Sequence, residues 1–303
     1  MLPPGLTVFE RGWLSSNNLL LCGDAGPATL VDSGYFIHAD QTLALVRAAL
    51  RGAPLDLLIN THLHSDHCGG NAALQAQYPT LQTAIPPGEA EAVALWDQSV
   101  LSFEGTGQYC PRFHHEHLLV PGTEWVLGRQ SWQVHAAPGH DPHSVILFEP
   151  QSRTLISADA LWQNGFGVVF PELLGEPGFD EVAATFDLIE RLAPRVVIPG
   201  HGPVFTDVTT ALHNARARLA RQTKAPDKHA WHAMKVLLKF KLLEFGRIDR
   251  SALAAWFSGT PYMALVQGRY FSTLSSHYAF GQLLDELALS GALTLAGEYV
   301  ANA

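Results

Sequence analysis

The first two-thirds of the chain alternates short apolar, β-rich runs with segments of helical periodicity. Most of the apolar runs are bounded by Gly, Pro, Asn or Asp, the residues that close strands into turns. Strands interrupted by helices throughout predict a layered α/β domain and argue against a helical bundle or an all-β sandwich. The predicted strands are Leu19–Cys22, Thr29–Val31, Leu55–Ile59, Trp132–His135, Ser144–Phe148, Thr154–Ile156 and Arg195–Ile198, and the predicted helices are Ala39–Leu50, Cys68–Gln77 and Asp180–Leu192.

From about Asp207 onward, strand-like runs nearly disappear and helical spacing of the apolar positions takes over. In the helix predicted over Asp227–Phe245, Pro226 followed by Asp227 provides the start signal. The change of pattern predicts a boundary near residue 222, between an α/β domain over residues 1–222 and a smaller helical domain over residues 223–303. The other elements predicted here are helices Asp207–Thr223, Arg250–Trp256 and Leu274–Ser290, and a short β-like tail Leu293–Val300.

The composition of the 303 residues excludes several classes of protein. No apolar run approaches the roughly 20 residues that cross a bilayer, and the N-terminus lacks the regions of a secretory signal. We therefore expect no membrane partner. Three cysteines cannot form a closed disulfide framework, so we expect a cytoplasmic setting. A net charge of −9 favours a small-molecule substrate, while the basic stretch Asn214–Arg250 keeps nucleic acid as the alternative partner.

Histidine is abundant, with fifteen residues, and three of them cluster with an aspartate after the predicted strand Leu55–Ile59. These residues are His62, His64, Asp66 and His67. Because residues i and i+2 of an extended segment point to the same side, His62 and His64 are expected to converge on one ion. Asp66 and His67 lie where the next helix begins, and the turn of the chain directs them toward a neighbouring position. The spacing therefore indicates a metal site.

Three single polar residues elsewhere occupy the same kind of position, at the end of an apolar β-run, where side chains emerge from a sheet edge into a cleft. They are His140, Asp159 and His201. Seven nitrogen and oxygen ligands without thiolate suit two divalent metal ions, Zn²⁺ in the first place and Fe or Mn as alternatives. We expect His62, His64 and His140 on one ion, Asp66, His67 and His201 on the other, and Asp159 as the bridge.

Four motifs in order resemble those of the metallo-β-lactamase superfamily: the run from His62 to Gly70, then Pro-Gly-His at 138–140, Ser-Ala-Asp at 157–159 and Pro-Gly-His-Gly at 199–202. The resemblance covers about residues 5–205. It implies an α/β fold, a four-layer αββα sandwich with the dinuclear site at one edge of the paired sheets, and it assigns the same seven ligands. Residues 248–300 are similar to the winged-helix-like tails of endoribonuclease-like relatives and equally to the helical caps of thioesterases.

A dinuclear site of this kind indicates hydrolysis. Two cations lower the pKa of a bridging water and provide a metal-bridging hydroxide, while they polarise a carbonyl or phosphoryl oxygen. Asp66 is the candidate catalytic residue, because its carboxylate can orient the nucleophile and carry its proton to the leaving group. True β-lactamases of this fold usually have Cys, or no ligand, in place of Asp159. A bridging Asp instead resembles glyoxalase II-type thioesterases, lactonases, phosphodiesterases and the RNase branch.

The predicted function is metal-dependent hydrolysis of a small acyl substrate, that is, a thioester, ester or lactone. The alternatives are a phosphodiesterase or endoribonuclease of the same superfamily and a regulatory protein that retains the metal site. Trp162 and Phe166 are candidates for an apolar substrate wall, with core packing as the other interpretation. If the helical domain forms a lid, Lys239 or Arg269 is a candidate for gripping a carboxylate or phosphate, whereas such charges are usually a solvated helix face.

Overall fold

The computed structural model describes residues 2–23 and 26–303. Within these ranges the chain forms two compact units. The first comprises the residues up to Leu101 together with Tyr109–Arg221, and the second comprises Ser102–Gln108 together with Gln222–Ala303. The short segment Ser102–Gln108 thus belongs to the second unit although it lies inside the sequence of the first, which no sequence pattern indicated.

The first unit is built on two β-sheets. Their strands are β1 (Leu6–Phe9), β2 (Asn18–Leu21), β3 (Thr29–Val31), β4 (Leu57–Ile59), β5 (Gln82–Ile85), β6 (His117–Leu118), β7 (Glu124–Leu127), β8 (Gln130–Ala136), β9 (Val145–Glu149), β10 (Thr154–Ala158) and β11 (Val196–Pro199). The first sheet has the order β1-β2-β3-β4-β5-β6 and is parallel from β3 to β6. The second has the order β11-β10-β9-β8-β7 and is antiparallel except for the pair β10 and β11.

Helices connect and cover the strands. They are α1 (Ala39–Leu50), α2 (Ser65–Cys68), α3 (Asn71–Gln77), α4 (Ala90–Leu95), α5 (Ser102–Gly105), α6 (Phe170–Leu174), α7 (Gly178–Leu192), α8 (Val208–Lys224), α9 (Pro226–Phe245), α10 (Arg250–Gly259), α11 (Pro261–Tyr270) and α12 (Ser276–Leu289). Short 3₁₀ turns lie at Phe36–His38 and Pro87–Glu89. No helix among the described residues is both long and apolar enough to cross a membrane.

The alternation of side chains along the strands creates four layers. In β2, Leu19 and Leu21 join the core between the two sheets, while Leu20 packs on the opposite face with side chains of α1 and α3. In β9, Leu147 faces that same central core, and Phe148 packs with side chains of α7 and α8. The central strands of both sheets are therefore buried on both faces, which gives the αββα sandwich that the family resemblance implies.

The helix predicted over Cys68–Gln77 is wrong in its bounds, because the structure divides this region into α2 and α3 at Gly69 and Gly70. A Cβ atom on Gly69 would lie 2.5 Å from the carbonyl oxygen of Ser65 and 2.6 Å from the nitrogen of Phe36. The backbone passes too closely here for any larger residue. The break leaves α2 as a single turn that carries Asp66 and His67 at the sheet edge.

The second unit combines helices with a small antiparallel sheet. Its strands are β12 (Arg247–Asp249), β13 (Leu293–Ala296) and β14 (Tyr299–Asn302), in the order β12-β14-β13. The predicted β-like tail is a hairpin with Gly297 at φ +63° in its two-residue turn. The hairpin pairs with β12, which precedes the helices α10, α11 and α12. Helix α11 was not predicted.

The segment Ser102–Gln108 is held within the second unit by its own polar contacts. The carbonyl oxygen of Gly107 accepts hydrogen bonds from Nζ of Lys241 and Nε1 of Trp256, both at 3.2 Å. A Cβ on Gly107 would lie 2.4 Å from the same indole nitrogen. Phe103 of the segment is almost completely buried. These contacts explain why seven residues from the middle of the chain fold with its C-terminal part.

We expect Val134→Ala to lower the free energy of unfolding by about 2 kcal/mol, because two methyl groups leave the core between the sheets. The matched control is Val126→Ala in the neighbouring strand β7, since Val126 is 57% exposed and loses the same atoms without leaving a cavity. Urea denaturation of both variants measures the difference. Equal losses at the two positions would contradict the assignment of the inner face.

Candidate metal centre

The seven predicted ligands lie at the ends of four strands and in the turn α2. His62 and His64 follow β4, with Asp66 and His67 in α2, whereas His140, Asp159 and His201 follow β8, β10 and β11. Strands β8, β10 and β11 run in the same direction, so their carboxyl ends meet at one edge of the second sheet. The structure brings all seven side chains together there, in three overlapping groups whose potential ligand atoms lie within 4.8 Å of one another.

The first group consists of three imidazoles. Nδ1 of His64 lies 3.1 Å from Nε2 of His62 and 2.8 Å from Nε2 of His140. The outer nitrogen of His140, Nδ1, donates to the carbonyl oxygen of Val168 at 2.5 Å, which leaves Nε2 as a bare lone pair. In the same way Nδ1 of His62 faces Oγ1 of Thr61 at 3.2 Å. Three imidazole nitrogens within 4.8 Å of one another are an arrangement that suits a metal ion.

The second group consists of Asp66, His67 and His201. Oδ2 of Asp66 lies 3.1 Å from Nε2 of His201 and 4.0 Å from Nε2 of His67. Nε2 of His67 is fully buried and makes no hydrogen bond. Buried polar atoms nearly always have a close partner, and the nearest carboxylate oxygen, Oδ1 of Asp159, lies 3.5 Å from this atom. A cation fits the position.

Asp159 lies between the two groups and is almost completely buried. Its Oδ2 is 3.3 Å from Nε2 of His140 in the first group and 3.8 Å from Nε2 of His201 in the second. Its Oδ1 is 3.5 Å from Nε2 of His67. One carboxylate therefore approaches ligand atoms of both groups.

Asp32 anchors this arrangement and was missed by the sequence analysis. Its Oδ2 accepts a hydrogen bond from Nδ1 of His67 at 2.8 Å and another from Oγ1 of Thr61, also at 2.8 Å. Its Oδ1 accepts from the backbone N–H of Thr61 at 2.9 Å. The signal was present, because Asp32 is a single acidic residue directly after the apolar strand β3.

Burial keeps the first group neutral. It lowers the pKa of His64 and of His140 to about 4. Burial, reinforced by the neighbouring imidazoles, lowers the pKa of His62 well below its ordinary value. At pH 7 these imidazoles are therefore uncharged, which is the state that binds a metal.

The carboxylates of Asp66 and Asp159 are ionised, so the rest of the site is stabilised by nearby positive charge. Burial alone would raise the pKa of Asp159, but the imidazoles of His201 and His67 hold it well below the usual range. Burial would also raise the pKa of Asp66, but the same two imidazoles lower it. Conversely, burial would lower the pKa of His67, but the surrounding carboxylates, Asp32 foremost, raise it well above its ordinary value. A bound cation would satisfy these carboxylates equally.

Two glycines make room for the ligands. A Cβ on Gly200 would lie 2.1 Å from Oδ1 of Asp159, and one on Gly167 would lie 2.4 Å from Nδ1 of His140. Both side chains are already held by other contacts, so neither can move aside cheaply. The motif Pro-Gly-His-Gly thus contains a glycine that the neighbouring strand end requires.

Aromatic side chains flank the ligands. Trp13, in the connection between β1 and β2, is 61% exposed and stacks on His201 with ring centroids 5.5 Å apart. Its edge meets Trp162 at 5.3 Å. Phe170 lies 5.4 Å from His64 and 5.6 Å from His140. Trp13 and Phe170 were also missed by the sequence analysis, since neither follows a ligand in sequence.

The loop that carries Trp13 is fixed to both sides of the site. The backbone N–H of Ser16 donates to the carbonyl oxygen of Asp66 at 2.9 Å, and that of Asn17 donates to Gly200 at 2.6 Å. The side chain of Asn17 donates to the carbonyl oxygens of Pro199 and Gly202. This loop therefore links segments that follow strands of two different sheets.

The four predicted substrate residues have different surroundings. Trp162 borders the ligands, whereas Phe166 is 1% exposed and packs against Phe186 in the core, so core packing replaces the expected role of Phe166 in a substrate wall. Lys239 and Arg269 belong to the second unit, where Nζ of Lys239 donates to the carbonyl oxygen of Ala292 and to Asn302. Their contact with a substrate stays a prediction.

Similarity to known proteins adds to this geometry. The family model of the metallo-beta-lactamase superfamily matches residues 11–201, which is more than half of the chain. The chain belongs to this superfamily. The crystal structure of the metallo-beta-lactamase family protein TTHA1429 from Thermus thermophilus covers 100% of both chains with a TM-score of 0.58 and 19% identity, which shows a shared fold.

Curated relatives are hydrolases. A hydroxyacylglutathione hydrolase of Anaeromyxobacter dehalogenans (strain 2CP-C) is 32% identical over 161 residues, covering 53% of this chain and 52% of that protein. One from Synechococcus sp. (strain JA-3-3Ab) is 28% identical over 237 residues, covering 77% of this chain and 80% of that protein. The chain spans about half to two thirds of the length of the relatives matched first. The chain thus combines the fold of this superfamily with a cluster of His and Asp side chains of the kind that holds divalent metal.

We expect Gly200→Ala to displace Asp159, because the new Cβ takes the place of Oδ1. The stabilisation of the protein by added Zn²⁺ should fall by about 1.4–2.7 kcal/mol, which corresponds to a 10–100-fold weaker affinity. Thermal melts with and without Zn²⁺ measure this loss. Gly12→Ala is the control, since nothing lies within 4 Å of its Cβ position, and an equal Zn²⁺ response in both variants would refute the close contact.

Proposed function

We propose that the chain is a dinuclear metal-dependent hydrolase of a small acyl substrate, a thioester, ester or lactone. The observation that supports two ions is the place of Asp159, whose Oδ2 lies 3.3 Å from His140 and 3.8 Å from His201. In this proposal each ion has three further ligands. They are His62, His64 and His140 on one side and Asp66, His67 and His201 on the other.

The donor set favours Zn²⁺, because imidazoles and carboxylates without thiolate bind borderline-hard divalent ions. The same donors accept Fe or Mn, so the metal is a matter for elemental analysis. When bound, a pair of such ions activates a water for attack and stabilises negative charge on a carbonyl oxygen. The neighbouring nitrogens of His62, His64 and His140 and the buried Nε2 of His67 fit this pair.

Asp66 is the proposed catalytic residue. Its side chain is 14% exposed, which makes it the more accessible of the two carboxylates in the ligand set. The low pKa that His67 and His201 impose keeps it ionised at neutral pH, so it can accept a proton. We propose that it orients the attacking water and passes the proton to the leaving group.

The aromatic side chains support an acyl substrate. Trp13 and Trp162 lie beside His201, and Phe170 lies beside His64 and His140, so apolar surface flanks the ligands on two sides. Relatives named hydroxyacylglutathione hydrolase act, by that name, on an acyl compound. Lys239 or Arg269 as a grip for a substrate carboxylate belongs to the same proposal.

The proposal is tested by a substrate panel. Protein loaded with Zn²⁺ should hydrolyse acyl thioesters, esters or lactones, and a chelator should abolish the activity until Zn²⁺ is returned. Bis(p-nitrophenyl)phosphate is included in the panel as a phosphodiester substrate. Cleavage of the phosphodiester without any acyl hydrolysis would replace this proposal with the phosphodiesterase alternative, and activity insensitive to chelation would refute both.

We expect Asp66→Asn to lower kcat by about 10²–10⁴-fold on the best substrate of the panel, because the amide cannot accept the proton. Metal content is measured alongside, so that loss of an ion is separated from loss of the base. Asp40→Asn is the matched control, as Asp40 lies on the surface in the first turn of α1. A fully loaded Asp66→Asn variant with unchanged kcat would remove Asp66 from the catalytic step.

A further inference from the structure

We propose that Trp162 is a positioning residue for Asp159: its indole N–H holds Oδ1 and thereby leaves Oδ2 as the oxygen shared by the two ligand groups. The inference rests on the proposed function, because it concerns the orientation of the expected bridging ligand. The observation is direct, since Nε1 of Trp162 donates to Oδ1 of Asp159 at 3.2 Å. Neither the superfamily motifs quoted above nor the ligand set includes this residue.

The two oxygens of Asp159 have different surroundings. Oδ1 lies between the indole nitrogen of Trp162 and Gly200, where a Cβ would approach it to 2.1 Å. Oδ1 also lies 3.5 Å from Nε2 of His67, which belongs to the second group. Oδ2 lies 3.3 Å from Nε2 of His140 in the first group and 3.8 Å from Nε2 of His201 in the second. Only Oδ2 is thus close to one imidazole of each group that the proposed ions would use.

A carboxylate does not choose between its oxygens without help, because rotation about its last bond is broad and roughly two-fold. A hydrogen bond to one oxygen removes this symmetry, and a bond to an ionised acceptor is stronger than one between neutral groups. The indole N–H suits the task because it is a donor only. It cannot compete with the carboxylate as a metal ligand.

The indole itself is held in place. Its ring meets Trp13 at 5.3 Å and His201 at 5.5 Å, in both cases edge to face. The backbone N–H of Trp162 donates to the carbonyl oxygen of Gly165 at 2.7 Å, which closes a tight turn. Gly165 has φ +144°, and a Cβ there would lie 2.4 Å from Nη1 of Arg218 in α8. The turn is therefore fixed against a helix.

Trp162→Phe tests the proposal, because it keeps an aromatic ring and removes only the N–H donor. We expect the affinity for Zn²⁺, measured by competition with a chromophoric chelator, to fall by about 10–100-fold for at least one of the two ions. Trp13→Phe is the matched control. Trp13 contacts the same two rings, but its indole N–H donates to no described protein atom. Unchanged affinity of Trp162→Phe, or an equal loss in Trp13→Phe, would overturn the proposal.

The variant Asp159→Ala, which has no acceptor for the indole N–H, separates positioning from general packing. If Trp162 acts through the carboxylate, Trp162→Phe should change the Zn²⁺ affinity by less than about threefold once Asp159 is Ala, so that the two substitutions are not additive. A merely structural role would give the same loss with either residue at position 159. Full additivity would therefore overturn the proposal.

A measurement on the unmodified protein covers the case in which Trp162→Phe does not fold. In ¹⁵N-labelled protein loaded with Zn²⁺, we expect the indole N–H of Trp162 to exchange with solvent more slowly than that of Trp13 and to shift in Asp159→Asn. Exchange as fast as that of Trp13 would overturn the proposal. A silent substrate panel would leave these results intact, whereas failure of the unmodified protein to bind Zn²⁺ would refute the proposed function itself.

Discussion

The close approach of five imidazoles and two carboxylates at one buried edge is the constraint on which the rest of the structure depends. Imidazole nitrogens approach one another to 2.8 Å and 3.1 Å, and they share a buried edge with the carboxylates. Such a set is unfavourable without a positive charge in its middle. The protein fixes it by occupying the outward nitrogens, through Asp32 on His67 and the carbonyl oxygen of Val168 on His140. The other nitrogen of each of these two rings, Nε2, therefore faces the cluster.

The sandwich makes this possible because it brings two separate sheets to one edge. The backbone N–H of Val145, at the start of β9, donates to the carbonyl oxygen of Thr61, which follows β4. Asn17 adds a second connection, from the loop after β1 to the segment after β11. Backbone hydrogen bonds therefore connect the segments of the two sheets that carry the cluster residues. The relative positions of these residues do not depend on side-chain packing alone.

The sequence was most informative where the position of a residue follows a simple rule of strand geometry. Strands such as β4 and β10 are buried on both faces and read as continuous apolar runs, so they could be predicted. Strand β1, at the sheet edge, has no fully buried side chain, and β6 has only two residues, so neither leaves such a pattern. His140, Asp159 and His201 could be predicted as members of the cluster because each is a single polar residue after a strand, whereas His62, His64, Asp66 and His67 were predicted from their spacing.

What escaped prediction depends on contacts between distant residues. Trp13 lies beside His201 because its loop is hydrogen-bonded to Gly200. No sequence pattern near Trp13 indicates this distant contact. Helix α2 ends early because Gly69 passes close to Phe36, a restriction that periodicity does not record. Phe166 looked like a wall residue from its place beside Asp159, but the turn after Trp162 directs it into the core.

The interlaced course of the chain has a consequence for anyone who wishes to study the two units apart. The order of the residues suggests a truncation near residue 222. Such a truncation would separate Ser102–Gln108 from the second unit, with which this segment folds. The shortened protein would present Phe103 to water, and Gly107 would lose the indole and ammonium donors that satisfy its carbonyl. Separation calls for two incisions and a short replacement linker between Leu101 and Tyr109, a design that the linear order of the residues conceals.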